Sequence, residues 1–384
     1  MAHLDTIDAS EIGERLRVAR TDARISQEDA AKGLKVSRPT MIAIEKGQRK
    51  VRAEELDFLT SLYGVPINRI LAKEAVVLDL QGRFRRADVD QSDAGQALGL
   101  LNRLASASVE LERMLGIRFT PSYLPEHPIG PGPIERQAQE AAANLRHRLG
   151  LGLAPIPDIV SLLENELGIR MFVRGLPSEI AGVFAYDPVV GACILLNAKH
   201  PWERRALTAA HECGHFMSNR SNVDLVDVNE SLTSADERFA NAFAYAFLMP
   251  PAGVRRRFQE IVEADKRFTP RHLILMAQTF HVSPEAIGRQ MERLELLPQG
   301  SYDSLRERGF NREFVRGIIG DLAPSSRRTP ANPRLAQLVS SAARRELMSE
   351  GQLASMLGMD RLEVRELIDV FGDEEEDDLA IDLL

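Results

Sequence analysis

The first seventy residues alternate apolar and polar positions with the period of an α-helix. Apolar side chains recur every three or four positions in the opening segment: Ile12, Leu16 and Ala19. A second helix is predicted over residues 27–34, because Ser26 is a good N-cap. Ser37 caps a third helix, which has Pro39 in its first turn and ends at Gly47. Two more short helices are predicted over residues 54–63 and 66–71.

Beyond residue 132 the pattern changes from helical spacing alone to a mixture of helices and short apolar runs. Three runs bounded by turn residues predict strands: GIRMFVR, IAGVFAY and ACILLN. Helices are predicted around them, over residues 133–149, 202–219 and 234–248. The expected fold class is therefore α+β and mostly helical, with one small β-sheet.

The apolar patterns and the turn-rich stretches between them divide the chain into four predicted segments. They are an N-terminal helical domain (1–72), a helical connector ending in the Pro/Gly-rich hinge SYLPEHPIGPGP (73–132), a mixed domain (133–298) and a helical C-terminal region with an acidic tail (299–384). A polar break, APSSRRTPANP, interrupts the last segment. The tail is expected to be a solvated end, with mimicry of DNA against the basic N-terminal domain as the alternative.

Composition and charge place the protein among soluble chains of two or three domains. Its 384 residues are 44% hydrophobic, and no run approaches the twenty apolar residues that a membrane span needs. No secretory signal is visible at the N-terminus, and two cysteines cannot form a disulfide framework, so a cytoplasmic location is expected. The net charge of −8 hides a basic segment, since residues 32–52 contain seven basic side chains and one acid.

The sequence HECGH at residues 211–215 has the pattern of a catalytic zinc site. Two histidines four residues apart share one face of a helix, so His211 and His215 can bind one Zn2+ ion. Glu212, beside the first ligand, is then the candidate general base. The alternative is that both histidines are ordinary surface residues.

A catalytic zinc site requires a third protein ligand, and the following helix offers two acids. Glu237 is the preferred ligand, because Asn241 lies four residues later on the same face and can support it as a partner. Asp236 is the competing candidate. The alternative for both is that they are solvated acids at a helix N-terminus.

The two cysteines differ in their expected roles. Cys213 lies about 200° around the helix from His211 and is expected to fill the core. Cys193 lies on the predicted strand before the motif, which we expect to be the edge strand that pairs with substrate. If its side chain faces the metal, Cys193 is an inhibitory fourth ligand; otherwise it is a core residue.

The segments ACILLN, ERRALTAAHECGHFM and ERFANAFAYAFLMP resemble the ImmA/IrrE family of zinc metallopeptidases. That resemblance implies His211, His215 and Glu237 as metal ligands, Glu212 as general base, and a gluzincin-like domain with a small sheet. Cys213 departs from the family, in which an apolar residue is usual at that position. Family members are encoded beside repressors and cleave them in phage immunity, the DNA-damage response and antiphage control.

Residues 26–50 resemble the helix-turn-helix of the XRE family. Apolar residues supply a core for the helix pair: Ala30, Leu34, Val36, Ile42 and Ile44. The start of the third helix is expected to face the major groove through Ser37, Arg38, Thr40 and Met41. Gln27, Arg49 and Lys50 are expected to contact phosphates. The alternative is a helical module used for dimerisation or protein docking.

Together these motifs predict a zinc endopeptidase that cleaves a partner repressor encoded nearby, in response to DNA damage or a phage-related signal. Its expected partners are that repressor, DNA (with single-stranded DNA as a candidate activator) and a second copy in a homodimer, with no membrane. Two alternatives stay open: a transcription regulator whose zinc domain is a sensor or remnant, and an antitoxin-like binding protein.

Overall fold

A computed structural model describes residues 8–23, 25–65, 67–71, 93–188, 190–220, 224–227, 234–319 and 333–371 of the chain. Three predicted features lie wholly or mainly outside these residues: the acidic tail from Asp373, the first part of the connector (73–92) and the polar break at 323–333. Over the described part of the chain, no helix is both long and apolar enough to span a membrane.

The described elements follow one another along the chain in this order: α1 (Ala9–Asp22), α2 (Gln27–Gly33), α3 (Arg38–Glu45), α4 (Ala53–Tyr63), α5 (Ile67–Leu71), α6 (Asp93–Leu115), α7 (Ile134–Arg148), α8 (Ile159–Leu162) with a π-helical turn (Leu163–Leu167), β1 (Arg170–Arg174), β2 (Ile180–Asp187), β3 (Gly191–Asn197), α9 (Trp202–Ser218), β4 (Asp224–Asp227), α10 (Ala235–Leu248), α11 (Pro251–Asp265), α12 (Pro270–Phe280), α13 (Pro284–Arg293), α14 (Ser301–Glu307), α15 (Arg312–Ile319), α16 (Pro333–Arg344), α17 (Glu350–Leu357) and α18 (Arg361–Asp369). The chain is mostly helical with one small sheet, as predicted.

These elements form two compact units. The first contains residues 1–119 and 333–384, and the second contains residues 120–332. The units do not coincide with the four predicted segments, because α6 packs against α16 and α17 rather than acting as a connector. Within the first unit, Arg334 of α16 forms an ion pair with the buried Glu112 of α6 at 2.8 Å. No local pattern indicates such a pairing between residues so far apart in sequence.

The N-terminal helices begin where the sequence predicts. The Ser26 hydroxyl accepts a hydrogen bond from the Asp29 amide (3.1 Å), and the Ser37 hydroxyl accepts one from the Thr40 amide (3.3 Å). Helices α1 and α3 approach so closely that a Cβ on Gly13 would lie 2.3 Å from the Ile44 carbonyl oxygen. The helix pair therefore has a compact apolar core that fixes which face of α3 points outward.

The sheet of the second unit has the order β1-β3-β2-β4. Strand β3 pairs in parallel with β1 and antiparallel with β2, and β4 pairs antiparallel with β2. The prediction that the strand before the motif helix is an edge strand is therefore wrong, because β3 is central and all seven of its residues are buried. A parallel partner depends on a crossover connection, which the apolar pattern of a single strand cannot reveal.

Helix α9 covers one face of the sheet, and α10 packs between α9 and α7. A buried arginine, Arg146 of α7, fixes this layer by donating to the carbonyl oxygens of Gly152, Ala154 and Phe247. Burial lowers the pKa of the Arg146 guanidinium to about 10, which leaves it charged at neutral pH. Helix α10 is thus held by the charged side chain of Arg146, whose N–H groups donate hydrogen bonds to carbonyl oxygens.

Candidate functional site

Helix α9 places the two motif histidines together on one buried face. His211 and His215 are 9% and 4% exposed, and their Nε2 atoms lie 3.0 Å apart. The rings meet edge to face, with centroids 4.8 Å apart. A spacing of four residues on an α-helix brings the side chains onto the same face, as predicted.

Helix α10 brings Glu237 to the same point. The Ser234 hydroxyl caps α10 by accepting a hydrogen bond from the Glu237 amide (3.0 Å), which fixes the start of the helix. The carboxylate oxygens of Glu237 lie 3.3 Å from the Nε2 atoms of His211 and of His215. Asp236, the competing candidate, does not belong to this group.

The three side chains fit a zinc ion. Donor atoms about 2.0–2.1 Å from one zinc in tetrahedral geometry lie about 3.3 Å apart, close to the observed separations. Hydrogen bonds from His211 and His215 hold the pKa of the Glu237 carboxyl well below its usual range, so that this ligand is ionised. Two imidazoles and one carboxylate would hold such an ion and would leave its fourth position for water or substrate.

A close contact between α9 and α10 makes this geometry possible. Gly214, inside the motif, lies so near α10 that a Cβ there would meet the Ala240 Cα at 2.7 Å and its carbonyl oxygen at 3.0 Å. Ala240 is one turn beyond Glu237. The motif pattern gave no role to Gly214, although the lack of a side chain there is what lets the carboxylate reach the histidines.

Glu212 lies on the sheet side of α9 and is fully buried. A Cβ on Gly182 of β2 would lie 2.9 Å from Glu212 Oε1 and 2.6 Å from Thr208 Cγ2. The absence of a side chain at Gly182 therefore makes room for the carboxylate. A glycine within the run IAGVFAY is a signal that could have identified this position, because a glycine inside a strand often marks a close approach.

Asn241 lies one helical turn after Glu237, where it lines a cavity. In the described part of the structure its side chain makes no hydrogen bond to the three donor residues. Its assignment as a supporting partner of a ligand therefore stays a prediction.

Neither cysteine joins the donor group. Cys193 is buried on β3 and pairs in register with Ala185 of β2, while the adjacent residues Ala192 and Ile194 belong to the core beneath α9. Because side chains alternate along a strand, Cys193 faces the other side of the sheet, and the structure gives no geometric support for a fourth ligand there. Cys213 is fully buried in the core, and burial raises the pKa of its thiol to about 12.

In the first unit, the start of α3 forms the exposed face expected to contact DNA. Ser37 and Arg38 are exposed, and Thr40 is half-buried with its hydroxyl 2.8 Å from that of Ser37. Met41 was expected on the same face, but it is fully buried. The reason is that α3 turns Met41 and Ile44, three residues apart, toward the core with Leu16.

The residues predicted to contact phosphates differ in their surroundings. Gln27 donates to Glu45 at 2.7 Å, and Arg49 binds both carboxylate oxygens of Glu55 at 2.7 and 3.1 Å. Lys50 is exposed. Gln27 and Arg49 thus have roles inside the domain, whereas the side chains of Arg38 and Lys50 are exposed.

Two family models match the chain. One, described as an IrrE N-terminal-like domain (Peptidase_M78), matches residues 164–292, and the other, a helix-turn-helix domain (HTH_31), matches residues 11–71. The chain is also 31% identical over 101 residues to the cryptic phage CTXphi transcriptional repressor RstR of Vibrio cholerae. That similarity covers 26% of this chain and 91% of the repressor.

We predict that Gly214→Ala lowers zinc affinity by about 10- to 100-fold, a range typical for residues that position metal ligands. The added methyl group would push α10 away and separate Glu237 from the histidines. The measurement is a competition titration of zinc against a chromogenic chelator.

Gly99→Ala is the matched control, because Gly99 lies within α6 and has no atom within 4 Å of the added Cβ. In a helix this substitution is normally stabilising. Equal zinc affinity in both variants would contradict the role assigned to the α9–α10 contact.

Proposed function

Because the chain belongs to the helix-turn-helix proteins that carry an IrrE N-terminal-like domain, we propose that it is a zinc-dependent endopeptidase that cleaves a partner transcriptional repressor. The observation that carries this proposal is the convergence of His211, His215 and Glu237 beside the buried carboxylate of Glu212. A structural zinc site is closed by four protein ligands, whereas three ligands with an adjacent base are typical of hydrolytic sites.

The proposed reaction is hydrolysis of a peptide bond. A zinc ion held by the three donor residues would supply Lewis acidity, which polarises the scissile carbonyl and acidifies a water molecule. Glu212 accepts a proton from the attacking water and delivers it to the leaving amine nitrogen. Thr208 and Gly182 confine the Glu212 carboxylate, so that this base is held in position before the substrate arrives.

The helix-turn-helix domain gives the protein a DNA-binding module. We propose that this module brings the enzyme to DNA, or senses DNA, when damage or a phage-related signal calls for repressor cleavage. Single-stranded DNA is the candidate activator to test first. A protease directed at a cellular repressor requires such control, since constant activity would keep the repressed genes switched on.

A second candidate is a transcription regulator in which the metal domain acts as a sensor. The similarity to RstR, a transcriptional repressor by name, favours it. The retained Glu212 favours the enzyme, because a sensor needs metal ligands but has no use for a base beside them.

We predict that the wild-type protein cleaves a repressor encoded beside its gene, and parallel reactions with and without single-stranded DNA test whether this DNA activates it. Glu212→Gln should reduce the rate of cleavage by about 10²–10⁴-fold. The glutamine keeps the size of the side chain but cannot accept the proton. Cleavage is followed by mass spectrometry of the products, and zinc content is measured in parallel.

Glu135→Gln, at an exposed position on α7, is the matched control and is expected to retain full activity. Absence of cleavage by the wild-type protein under all conditions would favour the regulator. Equal cleavage by Glu212→Gln would overturn the assigned base.

Gly182→Ala tests the confinement of the base independently of the ligands. Its methyl group would collide with Thr208 and Glu212 but not with the donor residues, so cleavage should fall by at least about tenfold while zinc affinity stays unchanged. Loss of zinc together with cleavage would show instead that the substitution disrupts the whole site.

The DNA module is tested by Arg38→Ala. We expect about 5- to 100-fold weaker binding to duplex DNA in fluorescence anisotropy, because Arg38 is exposed at the start of α3. Arg17→Ala removes the same charge from α1, where Arg17 pairs with Glu14, and should bind nearly as the wild type does. Equal losses of DNA affinity in both variants would mean that Arg38 at the start of α3 makes no specific contact with DNA.

A further inference from the structure

A large cavity in the second unit is lined by six arginines. Its volume is about 1390 Å3, above the range of about 300–1,000 Å3 that is common for small-molecule pockets. Helices α9, α10, α13, α14 and α15 contribute to its wall. Six guanidinium groups line it: Arg204, Arg289, Arg293, Arg306, Arg312 and Arg316.

The cavity begins one helical turn from the candidate metal centre on two different helices. Leu207 precedes His211 by four residues on α9, and Asn241 follows Glu237 by four residues on α10. Residues four apart lie on the same face of a helix, about one turn of 5.4 Å from each other. A chain segment lying in the cavity would therefore pass within about one helical turn of the candidate metal centre.

The six arginines divide into two groups. Arg289 binds the Asp303 carboxylate through two hydrogen bonds of 2.6 and 2.8 Å, and Arg293 lies over the Tyr245 ring at 3.9 Å. The other four form no ion pair with any residue that the structure describes, and all four are exposed: Arg204, Arg306, Arg312 and Arg316. Their charge is available to an anionic ligand.

The aromatic rings in the wall favour a peptide over a nucleic acid. Single strands bind by stacking bases on open aromatic faces, but Arg293 covers the Tyr245 ring and Arg289 lies 5.6 Å from the Tyr302 centroid. Glu203 and Glu285 also line the cavity, so the positive charge along its wall is interrupted rather than continuous. Separated carboxylates on an extended peptide match the separated guanidinium groups better, because arginine binds carboxylate through paired hydrogen bonds.

We propose that this cavity binds an acidic segment of the protein substrate, adjacent to the bond that is cut. The proposal rests on the proposed peptidase function and names its substrate class: a chain with aspartate or glutamate residues near the cleavage site. Arg312 and Arg316, on successive turns of α15, and Arg306 on α14 would bind these carboxylates. The donor residues on α9 and α10 would then receive the neighbouring peptide bond.

Binding is tested without turnover, in zinc-loaded protein that carries Glu212→Gln. The probe is a fluorescein-labelled octaglutamate peptide, with octalysine and a thymidine octanucleotide as comparisons, followed by anisotropy. The double variant Arg312→Glu, Arg316→Glu should weaken octaglutamate binding by about tenfold or more and strengthen octalysine binding, since like charges repel in the cavity.

The matched control reverses two exposed arginines on α11, Arg255→Glu with Arg256→Glu, and should leave octaglutamate binding unchanged. Circular dichroism establishes that both variants fold. Octaglutamate binding that does not respond to the α15 reversal would overturn the proposal. It would also be overturned if the thymidine oligonucleotide bound more tightly than octaglutamate and lost affinity in the same variant.

Cleavage separates this inference from the proposed function. If the wild-type protein cleaves the repressor and the α15 reversal cleaves it equally well, the acidic-substrate inference fails while the peptidase stands. If no repressor is cleaved but octaglutamate binding still depends on α15, the peptidase fails and the cavity remains a site for acidic peptides.

Discussion

The contact between α9 and α10 at Gly214 is the constraint on which the candidate site depends. Two histidines on one helix supply only two ligands, and the third must come from another helix that lies within reach of a glutamate side chain. The approach of the Gly214 position to the Ala240 backbone fixes that distance. Arg146 holds α10 from the opposite side by donating to the Phe247 carbonyl, so that α10 is fixed on both faces.

Much of the fold follows from local patterns in the sequence. The three strands, the motif helix and the helix that carries Glu237 were predicted within one or two residues of their bounds, because capping residues and apolar periods are local signals. The same holds for the spacing of His211 and His215. Chemistry that lies within a single helix could therefore be predicted directly.

Relations between distant segments could not be predicted in this way. The central position of β3 depends on its parallel pairing with β1, and Cys193 faces away from α9 because its neighbours Ala192 and Ile194 face the core beneath that helix. The packing of α6 on α16 joins residues more than two hundred positions apart. Hydrophobic periodicity specifies that a face is buried but not which partner buries it, so both relations needed the structure.

The net charge also could not show where an anionic ligand binds, because arginine has three different physical roles in this chain. Arg146 is buried and satisfied by carbonyl oxygens, and Arg20 pairs with the buried Glu45 inside the N-terminal helices. Arg38, Arg312 and Arg316 are exposed, and no described acid pairs with them. The net charge of −8 adds all of these together, although exposed arginines without an acidic partner attract an anionic ligand at a lower cost of desolvation than buried or paired ones. Exposed arginines of this kind occur in both compact units: Arg38 lies at the start of α3 in the first, and Arg312 and Arg316 lie on α15 in the second.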